Sequence, residues 1–348
     1  MFDIIVVGAG PAGATFSRLV GDKYKVLLID KAGKREKCCG GLIAPDALAL
    51  LAAFDLGIPK AIISDPQLLY VRSLDLESNR ERNYQRYYTN VNRKMLDEYT
   101  VKQLPSNVTV KTNCRYIKHK VEEDEVSVIV ESGESTETYR CKILVGADGA
   151  NSRVRRELFN DFGSIRKYLA IQGSYRKAAP INHYAVFFDR KITDFYSWLI
   201  PKDDLVLVGG AFRENEKPRL KYDMLVTAVR NKKYEIGELV RINACYLLRP
   251  RLRDIKLGKR GTALIGEAAG FISPSSSEGL SYAYRSARAL AKALDENDDD
   301  WQRRYRHNTN TLKANICIKI IKSKFMYNYI IRNLIFIMKI GSLERIGR

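Results

Sequence analysis

The sequence predicts an α/β chain: a doubly wound, Rossmann-like nucleotide domain interrupted twice by pieces of an antiparallel sheet, with a helical C-terminal segment. Three observations carry this expectation. The apolar run Phe2-Asp3-Ile4-Ile5-Val6-Val7 passes directly into Gly8-Ala9-Gly10-Pro11-Ala12-Gly13, the pattern of a buried parallel strand, a tight turn and a helix start. Two later apolar runs, Tyr139 to Val145 and Thr262 to Ile265, also end in glycine turns. Between these turns lie short runs of strand length bounded by polar turn residues.

Taken in order, the first element explains its own glycines. Gly8 permits the sharp turn, Gly10 lets the backbone approach a diphosphate, and Gly13 allows the helix to pack closely on the strand. A second strand, Lys25 to Ile29, ends in Asp30, where a carboxylate can accept hydrogen bonds from ribose hydroxyls. This much specifies a dinucleotide and leaves FAD and NAD both open.

Helices are expected near Ala12 to Val20 and Pro45 to Phe54, then a hairpin from Gln67 to Leu76 and Arg82 to Thr89. Asn92 to Gln103 reads as a helix and residues 107–145 as several strands. The second turn is Gly146-Ala147-Asp148-Gly149-Ala150. Strand-like runs follow at Tyr168 to Tyr175, His183 to Asp189, Phe195 to Ile200 and Leu205 to Phe212. Helical spacing returns over Lys217 to Val240, and again from Glu278 to Leu294 after the third turn, Gly266-Glu267-Ala268-Ala269-Gly270. The expected division assigns 1–66, 91–165 and 251–298 to the nucleotide domain, 67–90 and 166–250 to a substrate sheet, and 299–348 to a basic helical region.

The 348 residues carry a net charge of +19 in an otherwise ordinary globular composition, 45% hydrophobic and 28% charged. From Trp301 to Arg348 there are eleven Lys or Arg and one acid, so this segment supplies +10. It is also apolar over Ile316 to Ile321 and Tyr327 to Met338, yet no stretch reaches the roughly 18 uncharged residues of a membrane span. Two readings stand: amphipathic helices on an anionic membrane or over a lipid-like substrate, or a helical subdomain packed on the body with solvated lysines. No nucleic-acid module accompanies the charge, so nucleic acid is not an expected partner. The six cysteines show no metal-ligand spacing, and neither zinc nor a disulfide framework is expected. With a strand beginning at Phe2, no signal peptide is expected; the expected compartment is the cytoplasm, with possible peripheral contact at the inner membrane face.

The three glycine turns together resemble the FAD-binding pattern of the p-hydroxybenzoate hydroxylase-type flavoproteins. Within these, the chain resembles the geranylgeranyl reductase family, specifically its short CbrA-like bacterial branch. The resemblance rests also on Lys37-Cys38-Cys39-Gly40-Gly41-Leu42, on Asn83-Tyr84-Gln85-Arg86, and on Tyr196-Ser197-Trp198-Leu199-Ile200-Pro201-Lys202, which resembles the family's YxWxFPK motif with Ile200 in place of Phe. It implies FAD, held by Gly8, Gly10, Pro11, Ala12, Gly13, Asp30, Lys31, Cys39, Gly40, Gly41, Arg93, Asp148, Gly149, Arg153, Gly266, Glu267, Gly270, Gly279 and Leu280. Glu267 departs from the Asp common in the third turn, and Ser275-Ser276-Ser277 from a more glycine-rich loop.

Arg93 has a second reading as a solvated cation at a helix start. Tyr196, Trp198, Ile200 and Pro201 are the expected substrate-facing residues; on a strand the first three share a face, which lines an isoprenoid chain or serves as sheet core. Cys39 and Tyr196 are the candidate proton donors, with the alternative that the cysteines only fill space beside Gly40 and Gly41. His119, His183 and His307 fall outside every motif.

The family likeness implies an FAD-dependent oxidoreductase that saturates carbon–carbon double bonds of an isoprenoid or other hydrophobic substrate by hydride transfer from reduced flavin N5, with NAD(P)H or a ferredoxin-type carrier as electron donor. Two alternatives remain open: an aromatic hydroxylase on the same scaffold, and a non-catalytic flavin-bearing lipid binder at a membrane surface. Halogenation is disfavoured, because Tyr196 stands where the halogenase motif has its first tryptophan.

Overall fold

A computed structural model describes residues 1–33, 38–123, 125–160, 165–295 and 300–343. The chain begins β1 (Phe2–Val7), α1 (Pro11–Val20), β2 (Val26–Ile29), β3 (Leu42–Ile43) and α2 (Pro45–Ala53). The hairpin β4 (Leu68–Asp75) and β5 (Arg80–Asn90) leads to α3 (Arg93–Lys102), β6 (Val108–Lys111), the meander β7 (Cys114–Val121), β8 (Val126–Ser132) and β9 (Ser135–Gly146), and α4 (Arg153–Phe159). Next come β10 (Lys167–Lys177), β11 (Tyr184–Phe188), β12 (Ser197–Lys202), β13 (Leu205–Arg213), α5 (Pro218–Asn231) and β14 (Ile236–Leu248). The chain closes with β15 (Gly258–Lys259), β16 (Thr262–Leu264), α6 (Leu280–Asp295), α7 (Trp301–Asn308), α8 (Asn310–Tyr327) and α9 (Tyr329–Ile337).

These strands form two sheets. The first runs β15-β16-β9-β1-β2-β6, with β8 and β7 extending from the outer half of β9. Its centre is parallel: β1 lies between β2 and β9, with Val6 opposite Leu28 on one side and Val145 on the other. Both faces of β1 are therefore covered, which is why its apolar run is continuous. Ile4 and Val6 pack with Phe16 of α1 and Leu290 of α6, while Ile5 and Val7 pack with Tyr116, Val128 and Ile316 of α8. The second sheet, β14-β10-β13-β12-β11-β4-β5-β3, is antiparallel except where β4 pairs with β11. One face meets α5 through Leu199, Val208 and Leu225. The other carries Tyr168, Val186, Trp198 and Ile200.

Two expectations are corrected. The helix expected over Lys217 to Val240 ends at Asn231, and Ile236–Leu248 is a strand paired along β10. Lys233 takes a left-handed φ of 63° that stops the helix, and the backbone of β14 finds its partners in a neighbouring strand instead. Ile236, Leu239 and Val240 continue the helical spacing only as a sequence coincidence. Second, β12 starts at Ser197, so Tyr196 precedes the strand, although it packs in the same cluster as Trp198 and Ile200.

The basic tail straps both sheets. Leu312 and Ile316 of α8 join the core under the first sheet, and Tyr327 packs on the aromatic face of the second, stacking on Phe195 at 5.1 Å. In α9, Arg332 forms a buried ion pair with Asp75 of β4 at 2.7 Å. No described helix is long and apolar enough to cross a membrane.

Candidate functional site

The three glycine turns, far apart in sequence, meet in space. A Cβ built on Gly8, which has φ 107°, would lie 2.6 Å from the carbonyl oxygen of Ala147 in the second turn. One on Gly13 would lie 1.9 Å from the Gly8 carbonyl oxygen and 3.1 Å from the Ala147 Cβ. One on Gly266, φ 58°, would meet the Ala12 Cβ at 2.8 Å. Glycine is required at each position because backbone or Cβ atoms of the same or a neighbouring turn occupy the space. Gly10 caps α1 with no side-chain hydrogen bond and Pro11 opens it, so the first-turn amides face outward without a side-chain cap. This is an anion cradle suited to a dinucleotide diphosphate.

The acids of these turns have protein partners. Asp30 is buried and accepts the Ala9 amide at 2.6 Å and the Ala32 amide at 2.9 Å. It therefore fixes the glycine loop itself; Lys31 beside it is exposed. Asp148 accepts from the Ser152 hydroxyl at 2.5 Å and the Arg153 amide at 2.7 Å. Burial pushes its pKa up, opposed by these same donors. Arg153 donates to the Tyr116 carbonyl at 3.2 Å, and Glu267 accepts the Leu248 amide at 2.9 Å. Gly149 and Gly270 take φ of 76° and 90° at the ends of their turns. Gly279 accepts the Ala283 amide through its carbonyl as α6 begins, and Leu280 packs with Ile43 and Leu96.

Sequence reasoning missed Arg155. Fully buried, it donates to the carbonyls of Ala268 at 3.2 Å and Asp254 at 2.6 Å, tying the second turn to the third. The signal was present: a cation between Val154 and Leu158, on the buried side of a short helix.

A second cluster forms around the double-cysteine turn, of which Lys37 lies outside the described residues. A Cβ on Gly40 would fall 2.5 Å from Ile200 Cδ1, and one on Gly41, φ 63°, 2.3 Å from the Val91 carbonyl oxygen. The turn thus lies directly against β12. Cys39 Sγ accepts from Arg93 Nη1 at 3.0 Å. Arg93 is not a solvated helix-start cation: its side chain is 10% exposed and paired with Asp97 at 2.8 Å. Burial opposes its charge, but Asp97 and Cys39 outweigh that cost and hold its pKa above the ordinary arginine value. Cys38 has its pKa raised by its hydrogen bond with Cys245 and by burial, and it remains a thiol.

Lys202, the last residue of β12, was not singled out from sequence. Its ammonium donates to the Gly41 carbonyl at 3.2 Å, the Val91 carbonyl at 2.6 Å and the Asn90 side chain, pinning the cysteine turn to β5. Burial pushes its pKa down to about 7. Between that value and the ordinary 10.5 the unfolded chain binds the proton that the folded chain has released, so stability rises with pH. Relative to Lys202→Met, the wild type is expected to gain up to about 1.4 kcal/mol per pH unit between about pH 7 and 10.5, and nothing outside that window. Urea unfolding of both proteins at successive pH values checks this; a flat difference would refute it.

Tyr196, Trp198 and Ile200 share a buried cluster with Tyr168, Phe195 and Leu207. Trp198 Nε1 donates to Gln172 at 2.9 Å, and its ring lies 2.7 Å from where a Cβ on Gly209 would stand. Tyr196 donates its hydroxyl to the Ser276 carbonyl at 2.7 Å and hydrogen-bonds Tyr184. Burial raises its pKa, so it keeps its proton at neutral pH. Tyr88 donates to Glu278 at 2.7 Å beside it. Tyr88 and Tyr184 lie in no quoted motif, and Glu278 reads from sequence only as the end of the Ser275-Ser276-Ser277 loop and the start of a helix. Pro201 is a correction: it pairs with Val206, on the Leu199 face and not the Trp198 face, so it does not join the expected substrate-facing row.

Residues 1–313 match the FAD binding domain family. The chain belongs to that family. This FAD-binding protein is 38% identical over 331 residues to Protein CbrA of Shigella dysenteriae serotype 1, covering 93% of this chain and 92% of that one. It is 37% identical over 329 residues to Protein CbrA of Escherichia coli O157:H7, with coverage of 93% and 92%. Among solved structures, a geranylgeranyl bacteriochlorophyll reductase-like protein from Thermoplasma acidophilum superposes with TM-score 0.84 at 17% identity, over 99% of this chain and 92% of that one. PqsL of Pseudomonas aeruginosa, a probable FAD-dependent monooxygenase, superposes with TM-score 0.74 at 16% identity, over 98% of this chain and 100% of that one. The fold is that of FAD-dependent oxidoreductases, and the cofactor is FAD. The converging turns fit it, since they leave uncapped amides at α1 and admit no side chain between them.

Proposed function

We propose that this FAD-dependent oxidoreductase is a reductase that saturates carbon–carbon double bonds of an isoprenoid or similarly hydrophobic substrate. The observation that carries the reading is the contact between the cysteine turn and the aromatic row. Gly40 abuts Ile200, and Cys38, next to Cys39 in the same turn, packs against the buried apolar cluster of Ile200, Trp198 and Tyr196 that Tyr327 also joins. An extended apolar chain admitted beside that cluster would meet mainly rings and aliphatic groups. FAD, when bound, supplies two-electron chemistry, with hydride donation from reduced flavin N5 and electrons drawn from NAD(P)H or a ferredoxin-type carrier.

The residues divide the remaining work. Gly8, Gly10 and Gly13 admit the diphosphate, and Arg93 and Lys202 hold the Cys39–Gly41 turn in place. Tyr196 retains its proton and is oriented by the Ser276 carbonyl, so it is the leading donor to the second alkene carbon. Cys39, which already accepts from Arg93, is the lesser candidate.

The test is anaerobic incubation of the reduced holoprotein with a polyprenyl lipid, read by mass spectrometry. The expected product is heavier by two hydrogens per saturated bond. Tyr196→Phe is expected to lower kcat by about 10²-fold while leaving bound FAD unchanged. Strict oxygen dependence with oxygen in the product would establish a hydroxylase instead, and an unaltered lipid under every reductant would leave a binding protein.

A further inference from the structure

We propose that the outer faces of α8 and α9 dock the protein on an anionic lipid bilayer. The inner faces are already used: Leu312, Ile316 and Ser323 of α8 and Arg332 and Phe336 of α9 are buried against the body. The outward rows are apolar nonetheless. Ile318, Ile321 and Phe325 stand at i, i+3 and i+7 along α8, and each is at least half exposed. Ile330, Leu334 and Ile337 stand at i, i+4 and i+7 along α9, and each is likewise at least half exposed. A helix that has packed its inner face on its own protein has no folding reason to keep the opposite face apolar.

Charge selects the occupant. Between Trp301 and Leu343 there are nine Lys or Arg and no Asp or Glu. On α8 the aliphatic row is flanked by Lys322 and Lys319 on one side and Lys324 on the other. Long lysine stems let the row sink to the acyl boundary while the ammonium groups stay among headgroups. Burial is the main cause that holds the Lys322 pKa below the ordinary lysine value, and the neighbouring charges of Lys319 and Arg86 add to it. Such crowding favours a surface of opposite sign. A second copy of this chain would bring cation against cation, and a nucleic acid would leave the apolar rows in water. An anionic bilayer satisfies both features.

The test uses full-length holoprotein and sedimentation with vesicles of phosphatidylcholine alone, or with about a third phosphatidylglycerol. Binding to the anionic vesicles is expected to be at least about tenfold tighter, and to weaken at high salt. Ile321→Glu and Phe325→Glu are each expected to reduce it about tenfold or more while leaving bound FAD and Tm unchanged. Lys322→Glu should lose affinity only for the anionic vesicles. Equal binding to both vesicle types, or outer-row variants that bind like wild type, would overturn the proposal. So would a concentration-dependent dimer that Phe325→Glu dissociates, since the rows would then be a self-association surface. Turnover on detergent-dispersed lipid should survive in these variants, which separates failure of the docking face from failure of the proposed chemistry.

Discussion

Gly13→Ala is expected to yield a chain depleted of FAD and markedly less stable. The added methyl carbon would stand 1.9 Å from the Gly8 carbonyl oxygen, and that oxygen belongs to the backbone of a turn already pressed on Ala147. No rotamer change relieves such an overlap; α1 must move away from β1. The shift costs about 3 kcal/mol or more as overpacking of a tight core. It also displaces the first-turn amides that face the diphosphate, so FAD affinity is expected to fall about 10²-fold or further, which removes the stabilisation that bound cofactor confers. Gly57→Ala is the matched control, because nothing lies within 4 Å of its new Cβ. Flavin absorbance per protein and Tm with and without added FAD give the readout. A Gly13→Ala protein matching the Gly57→Ala control would show that close packing of the turns does not govern cofactor binding.

Arg332→Met is expected to cost about 3–5 kcal/mol, the penalty of leaving a buried charge without its partner. Asp75 is fully buried, accepts Arg332 Nε at 2.7 Å, and otherwise takes only the Ser78 amide among the hydrogen bonds resolved for it. Arg332 also reaches Glu77 at 3.4 Å and lies over the Phe188 ring at 5.0 Å. Its loss therefore weakens the tie of α9 to the β4–β5 hairpin, leaving the Arg80–Asn333 hydrogen bond, as well as stranding a carboxylate. Adding Asp75→Asn to Arg332→Met should recover part of the loss, because the stranded charge is then gone. Thermal unfolding and the rate of proteolytic trimming of the tail measure both effects. A single variant within about 0.5 kcal/mol of wild type would mean the pair contributes nothing to the strap.

The glycine turns and the strands feeding them were legible because each is a local requirement. Gly8 needs a positive φ, Pro11 suits a first helical turn, and β1 is apolar on both faces. Asp30 was legible as an acid in the right place, but its observed partners are the amides of Ala9 and Ala32. Arg93 was open to two readings until Asp97 and Cys39 were seen beside it. The end of α5 was misread because Leu239 and Val240, both exposed on an edge strand, fall at helical spacing. Nothing local distinguishes that accident from a true helix face.

The sequence by itself determined a dinucleotide-binding α/β chain with an antiparallel insert and a basic, apolar tail, since strand periodicity, turn chemistry and net charge are properties of neighbouring residues. Only the tertiary structure decided that the three turns close on one another, that Arg155 and Lys202 staple them and the cysteine turn, that Pro201 faces away from Trp198, and that the tail buries one side of its helices and exposes the other. Each of these depends on contacts between residues distant in the chain. Their energy comes from the burial and pairing that folding creates, and the linear order of side chains does not encode them locally.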